Sequence, residues 1–224
     1  RVSMFPFLFT PWADNYAFFN LFNYITFRAG GALMTALLIC FLIGEPIIRW
    51  LKSRQGAGQP IREDGPESHL LTKQGTPTMG GSMMLLSLGI ATVLWADLSE
   101  DYVWCVMLVV SGFGLLGFVD DYRKLVKRSS DGLSSKQKLV AQFAIALAAS
   151  AMIMLNTQDD MASILTFPVL KDFSINLGLF YAVFASFVIV GSSNAVNLTD
   201  GLDGLAIVPI MIASISFAII AYVV

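Results

Sequence analysis

Two acidic clusters are the residues best equipped for chemistry. Asp120 and Asp121 stand side by side after the uncharged run Tyr102–Val119 and before Arg123 and Lys124. Two adjacent carboxylates repel each other, and at the carboxyl end of a helix the dipole opposes them as well. A divalent cation or a proton-transfer task would supply compensation. Adjacent helical residues point about 100° apart, so one ion would take one carboxylate directly and leave the other for a different task. A simple stop-transfer boundary, with Arg123 and Lys124 as counter-ions, explains the polarity but not why the acids come first. The second cluster is Asn194, Asn197, Asp200 and Asp203, recurring at steps of three. An α-helix would spread them over a broad polar face; a 3₁₀ turn would align them. Oxygen-only side chains suit Mg²⁺, and the lack of His or Cys nearby argues against zinc. Helix capping would account for Asp200 or Asp203 alone, but not for the rest.

Basic and polar residues stand at neighbouring positions. In Lys73-Gln-Gly-Thr-Pro-Thr-Met-Gly-Gly81, Thr76 is placed to cap a helix that begins at Pro77. The N–H groups opening that helix, with Lys73, would hold an anion. Capping and close helix packing at Gly80-Gly81 are the plainer readings, and neither explains the lysine. Lys136 and Lys138 open a later helix, where cations oppose the dipole; phosphate contact or anionic inner-leaflet lipid would each justify them. His69, the only histidine, lies in a polar stretch beside Glu67 and Ser68, placed for substrate contact or simply for solvation. Oxygen ligands, an anion site and lysines together make an inventory for phosphoryl transfer.

The elements that must position these groups are membrane helices. Of the 224 residues, 56% are hydrophobic and 13% charged, and the mean hydropathy is +0.70. The apolar residues fall in runs of roughly the 20 that a span requires, and six helices are expected, over about 25–48, 77–96, 102–119, 137–156, 175–196 and 204–224. Connections 49–76, 120–136 and 194–203 then share one face. Eleven of the 14 Lys and Arg residues flank the first two of these, which makes that face cytoplasmic and the amino terminus periplasmic. The first 24 residues, with Phe5, Phe7, Phe9, Trp12, Tyr16, Phe18, Phe19 and Phe22, form an aromatic interfacial segment and lack the pattern of a signal peptide. Residues Ser163–Leu170 could pair as a hairpin. Cys40 and Cys105 fall inside spans and carry no disulfide signal. The chain starts at Arg1 and stops inside an apolar run at Val224, so further spans are expected beyond it. A channel or transporter would need acids within the spans; here they sit at helix ends.

Four motifs carry a resemblance through nearly the whole chain. Asp64-Gly-Pro-Glu-Ser-His69, Lys73-Gln-Gly-Thr-Pro-Thr-Met-Gly-Gly81, Gly117-Phe-Val-Asp-Asp-Tyr-Arg-Lys124 and Asn194-Ala-Val-Asn-Leu-Thr-Asp-Gly-Leu-Asp-Gly204 resemble the phospho-N-acetylmuramoyl-pentapeptide transferases. These belong to the wider group that moves N-acetylhexosamine 1-phosphates onto polyprenyl phosphates. Sister enzymes for N-acetylglucosamine 1-phosphate share the motifs in looser form. The resemblance implies an all-α polytopic protein of the bacterial inner membrane whose active site faces the cytoplasm. It implies transfer from UDP-N-acetylmuramoyl-pentapeptide to undecaprenyl phosphate, with Mg²⁺, giving lipid I and UMP. A homodimer in the lipid bilayer is implied, and no nucleic-acid partner. It makes Asp120, Asp121, Asp200 and Lys73 catalytic candidates, and Asp121 and Asp200 metal ligands with a further Asp expected beyond Val224. Asp120 would serve the lipid-phosphate side as base or activator. Asn194, Asn197, Asp203, Gly201, Thr76, Thr78, Lys136 and His69 would bind substrate. Whether an Asp attacks first, forming a covalent phospho-enzyme, stays open.

Overall fold

A computed structural model describes residues 3–55, 77–127, 132–157, 160–167, 170–200 and 204–223. Of the expected site residues, His69, Lys73, Thr76, Gly201 and Asp203 lie outside the described residues. Seven α-helices are described: α1 Met4–Phe9, α2 Ile25–Gln55, α3 Gly81–Trp95, α4 Asp101–Lys127, α5 Ser135–Asn156, α6 Phe180–Thr199 and α7 Ile207–Val223. Short 3₁₀ turns at Thr10–Trp12 and Ala17–Asn23 join α1 to α2. The chain divides into two compact units, Arg1–Ile145 and Ala146–Val224.

Four helices, α2, α4, α5 and α6, are long and apolar enough to cross a membrane. Helices α3 and α7, at 15 and 17 residues, are apolar but shorter than the six-span expectation requires. Leu33, Met34 and Phe41 of α2 are 67%, 64% and 76% exposed, and α7 buries none of its residues. Apolar surface on that scale needs lipid around it, and the protein is a helical, multi-pass membrane protein. At 27 residues, α4 is about 40 Å long and outruns a hydrocarbon core of about 30 Å. Its polar end, from Asp120 onward, therefore stands beyond its apolar run.

In the first unit the packing centres on Trp95, the last residue of α3. Its ring stacks on Phe22, with centroids 5.7 Å apart and planes 8° from parallel, and meets Phe5 edge-on at 5.0 Å. Trp95 Nε1 donates to Thr35 Oγ1 at 3.0 Å, and Arg28 Nε donates to the Trp95 carbonyl at 3.1 Å. The aromatic amino-terminal segment thus folds back on the α2–α3 pair. Gly31 of α2 lies flat against the indole, and a Cβ there would overlap the ring.

The second unit adds one short hairpin to the helical membrane fold that the sequence predicts. Strands β1 (Ile164–Phe167) and β2 (Leu170–Asn176) pair antiparallel, with Ile164 opposite Asn176 and Leu165 opposite Ile175. The expected run Ser163–Leu170 supplies the first strand and only the first residue of the second. Its partner is Leu170–Asn176, whose last five residues alternate polar and apolar with the period of a strand, and α6 begins at Phe180 rather than near 175. Gly178, at φ +51°, makes the corner between strand and helix, and its N–H donates to Asn176 Oδ1 at 2.9 Å.

Gly31→Ala is expected to lower stability by about 1–3 kcal/mol through overpacking. Gly30→Ala, with nothing within 4 Å of the added Cβ, should change little. Unfolding of the two variants in detergent micelles checks this; equal shifts would show that the Trp95 contact does not govern the packing.

Candidate active site

The first unit gathers Asp120, Asp121 and Thr78 with residues that the sequence did not single out. Helix α4 continues to Lys127, so the two acids lie within its last turns rather than at its end. That softens the dipole penalty expected for them, and Lys124 and Lys127 occupy the last turn, where cations are favoured. The apolar run ends at Val119, which leaves the pair at the polar mouth of the helix.

Asp120 is buried, at 6% exposure. Its Oδ2 receives Lys124 Nζ at 2.7 Å and Lys138 Nζ at 3.0 Å, and its Oδ1 accepts the Leu133 N–H at 2.6 Å. Lys124 lies one turn along the same helix. Lys138 comes from the first turn of α5, whose start is fixed by a reciprocal cap. There the Gln137 N–H donates to Ser134 Oγ at 3.3 Å, and the Ser134 N–H donates to Gln137 Oε1 at 3.2 Å. A lysine that opens a helix opposes the dipole, and Asp120 compensates it. The chain at Gly132 passes so close to Asp120 that a Cβ there would overlap the carboxylate.

Burial alone would raise the Asp120 pKa. The hydrogen bonds from Lys124, Leu133 and Lys138, with the Lys124 charge, outweigh it and hold the pKa at about 2. The carboxylate's stabilising effect is therefore full above its ordinary value of 3.8 and is lost as the pH falls through about 2. At neutral pH Asp120 is an anion that shares its charge with two ammonium groups.

Asp121 turns to a different set of partners. Thr78 Oγ1 donates to its Oδ2 at 2.7 Å, and Lys124 Nζ stands 3.6 Å from its Oδ1. Thr78 is in turn clamped along its main chain by Gln55, the last residue of α2. The Thr78 N–H donates to Gln55 Oε1 at 2.9 Å, and Gln55 Nε2 donates to the Thr78 carbonyl at 3.1 Å. Met79 follows at φ +70°, unusual for a residue with a side chain, and its carbonyl accepts from Ser82 Oγ at 2.7 Å. This turn corrects the expected helix start. Pro77 is not the first helical residue; α3 starts at Gly81, with Gly80 as its cap. The bonds to Gln55 and Asp121 hold Thr78 out of the helix that capping rules alone would begin there.

These partners decide which carboxylate could hold a metal. Asp120 has cations on one oxygen and an amide on the other, so a divalent ion would compete with two lysines. Asp121 keeps acceptor capacity beyond its bond to Thr78, and its side chain is 30% exposed. Mg²⁺ commonly takes one or two carboxylates, with water and substrate phosphate completing its shell. Asp121 fits that pattern. Among the described residues, no three His, Cys, Asp or Glu side chains converge on one point.

The second unit carries Asn194 and Asn197 in the last turns of α6, with Asp200 at its carboxyl cap. The step of three therefore runs on an α-helix and gives a broad face rather than a single row. Asn194 Nδ2 donates to the Val190 carbonyl at 2.8 Å, and the Asp200 N–H bonds the Val196 carbonyl at 3.1 Å. Asn197 and Asp200 are exposed. Lys136 is exposed too; the lysine that enters the Asp120 cluster is Lys138. Spacing signals Lys124, four residues after Asp120, but nothing in the local sequence signals Gln55 or Gly132.

Asp120→Asn is expected to cost about 2 kcal/mol of stability, between the values for an exposed pair and for a buried pair broken at one partner. The cost should shrink when Lys138→Met is already present, because one fewer cation is left without a counter-charge. A double-mutant cycle by unfolding in detergent measures the coupling; identical costs in both backgrounds would contradict the clamp.

Comparison with known proteins places this geometry in a family. Residues 103–224, spanning nearly all of α4 through α7, match glycosyl transferase family 4. The phospho-N-acetylmuramoyl-pentapeptide-transferase of Granulibacter bethesdensis is 56% identical over 214 residues, covering 96% of this chain and 59% of that protein. The protein of the same name from Maricaulis maris is 53% identical over 222 residues, covering 97% of this chain and 60% of its own length. The chain spans about 60% of the length of these relatives, and the matches take in the segments that carry Gln55 and Thr78 as well as both acidic clusters. The chain belongs to glycosyl transferase family 4.

Proposed function

We propose that the protein transfers phospho-N-acetylmuramoyl-pentapeptide from its UDP-linked precursor to undecaprenyl phosphate, giving lipid I and UMP. The observation that carries this reading is identity above 50% to two proteins of that name over at least 96% of the chain. The acid–lysine cluster at the polar end of α4 supplies chemistry that suits it.

In such a transfer, an oxygen of the lipid phosphate attacks the sugar-bearing phosphorus. A new pyrophosphate bond forms, the old one breaks, and UMP departs with the electron pair. Positioning and charge neutralisation do most of the work. A phosphate monoester loses its second proton near pH 6, so the nucleophile needs little help from a base. Asp120, ionised and held by two ammonium groups, is a weak proton acceptor. Its part in this reading is to fix Lys124 and Lys138 beside the reacting phosphates. Asp121, oriented by Thr78, is the carboxylate that would hold Mg²⁺. When bound, the ion would supply charge neutralisation for the reacting phosphates.

The other assignments follow the same reading. Lys73 and Lys136 contact phosphates, Asp200 joins the nucleotide–metal region, and Asn194, Asn197, Gly201 and Asp203 hold uridine. Thr76 and His69 complete the substrate contacts. Six spans, with α3 and α7 crossing as short helices, would put the amino terminus in the periplasm and the acids at the cytoplasmic face of the inner membrane. A homodimer in the bilayer belongs to the same picture.

The test is product formation by the full-length protein in detergent, with undecaprenyl phosphate, Mg²⁺ and UDP-N-acetylmuramoyl-pentapeptide. UDP-N-acetylglucosamine, offered in competition, should be left unused; its preferential transfer would move the protein to the sister activity. Thr78→Val is expected to raise the Mg²⁺ concentration for half-maximal rate about tenfold, the scale set by losing a residue that orients a metal ligand. An unchanged Mg²⁺ requirement would remove Asp121 from the metal site.

A further inference from the structure

A second site lies at the other end of the first unit. The amino-terminal turns and the start of α2 line a half-open cavity of about 510 Å³, within the range of small-ligand sites. Its walls are mixed: Phe7, Phe22 and Pro11 give apolar surface, while Arg28, Asn20 and Asp14 give polar groups. Met4, Phe7, Leu8 and Trp12 nearby are 51%, 69%, 47% and 55% exposed, a composition suited to the boundary between lipid and water.

Arg28 is the group that asks for a ligand. It stands in the first turn of α2, where the dipole opposes a cation. Among the described residues its side chain bonds through Nε to the Trp95 carbonyl and has no carboxylate ion pair. A guanidinium at the edge of the hydrocarbon is costly without an anionic partner, and its planar fork matches a phosphate. Asp14, lining the same cavity, makes a purely anionic ligand less suitable and offers a partner for an ammonium.

We propose that this cavity binds the headgroup of a phospholipid carrying both a phosphodiester and a primary ammonium, the phosphate on Arg28 and the ammonium on Asp14. The acyl chains would leave along the exposed apolar residues of α1 and its following turn. This site is independent of the transfer reaction. The two charges determine which headgroup fits, and an interfacial segment tied down by lipid would steady the Phe22–Trp95 stack.

The test uses the whole protein, delipidated in detergent and titrated with short-chain phosphatidylethanolamine, phosphatidylglycerol or phosphatidylcholine, with bound lipid counted by native mass spectrometry. Phosphatidylethanolamine is expected to bind at least tenfold tighter than the other two. Arg28→Gln should weaken it by tenfold or more. Asp14→Asn, at an exposed residue, should abolish the preference over phosphatidylglycerol while keeping binding. Equal affinity for all three lipids, or Arg28→Gln binding as wild type does, would overturn the proposal. So would displacement of the lipid by inorganic phosphate, which would make the cavity a free-anion site.

Discussion

A buried carboxylate between two ammonium groups sets the terms for everything around it. Asp120 holds Lys124 from its own helix and Lys138 from the next, so α4 and the start of α5 are tied by charge where apolar packing has run out. Removing charges from water is repaid only when geometry and additional hydrogen bonds are good, which explains the backbone that wraps the site. Gly132 lets the chain come within touching distance of the carboxylate, Leu133 donates its amide, and the Ser134–Gln137 cap fixes where α5 begins. Each detail makes the others affordable.

The neighbouring Asp121 is freed by that arrangement. With the lysines drawn mainly to Asp120, Asp121 takes a neutral hydroxyl from Thr78 and retains capacity for a hard cation. Gln55 extends the same logic to α2, pinning Thr78 by both its amide and its carbonyl. Two adjacent carboxylates on one helix thereby acquire different partners: one binds two lysines and a backbone amide, the other a threonine hydroxyl. Such a division suits a reaction between two phosphates, where too much negative charge is the main obstacle.

Much of this was legible in the sequence, and the remainder was hidden for identifiable reasons. The apolar runs marked the helices, and Asp120-Asp121 stood out because acids placed there demand compensation. Lys124 was visible as a counter-ion by its spacing. Lys138, rather than Lys136, was not, because two lysines two positions apart on a helix face different ways and only the approach of α4 chooses between them. The Gln55–Thr78 clamp joins positions 23 residues apart, beyond any local pattern. The start of α3 was misplaced for the same reason, since bonds to Thr78 override a good capping sequence. The second strand of the hairpin overlaps the uncharged run that begins at Phe173 and also reads as helix, and only the alternation over 172–176 distinguishes it.

The central claim is that the two acids differ in kind, Asp121 meeting the metal and Asp120 the lysines. Electron paramagnetic resonance of Mn²⁺ titrated into the full-length protein tests it most directly. The account predicts that Asp121→Asn weakens Mn²⁺ binding by tenfold or more, while Asp120→Asn leaves it within about threefold of wild type, given that orienting partners are worth 10–100-fold and ligands more. The reverse order, with Asp120→Asn abolishing Mn²⁺ binding and Asp121→Asn sparing it, would contradict the account.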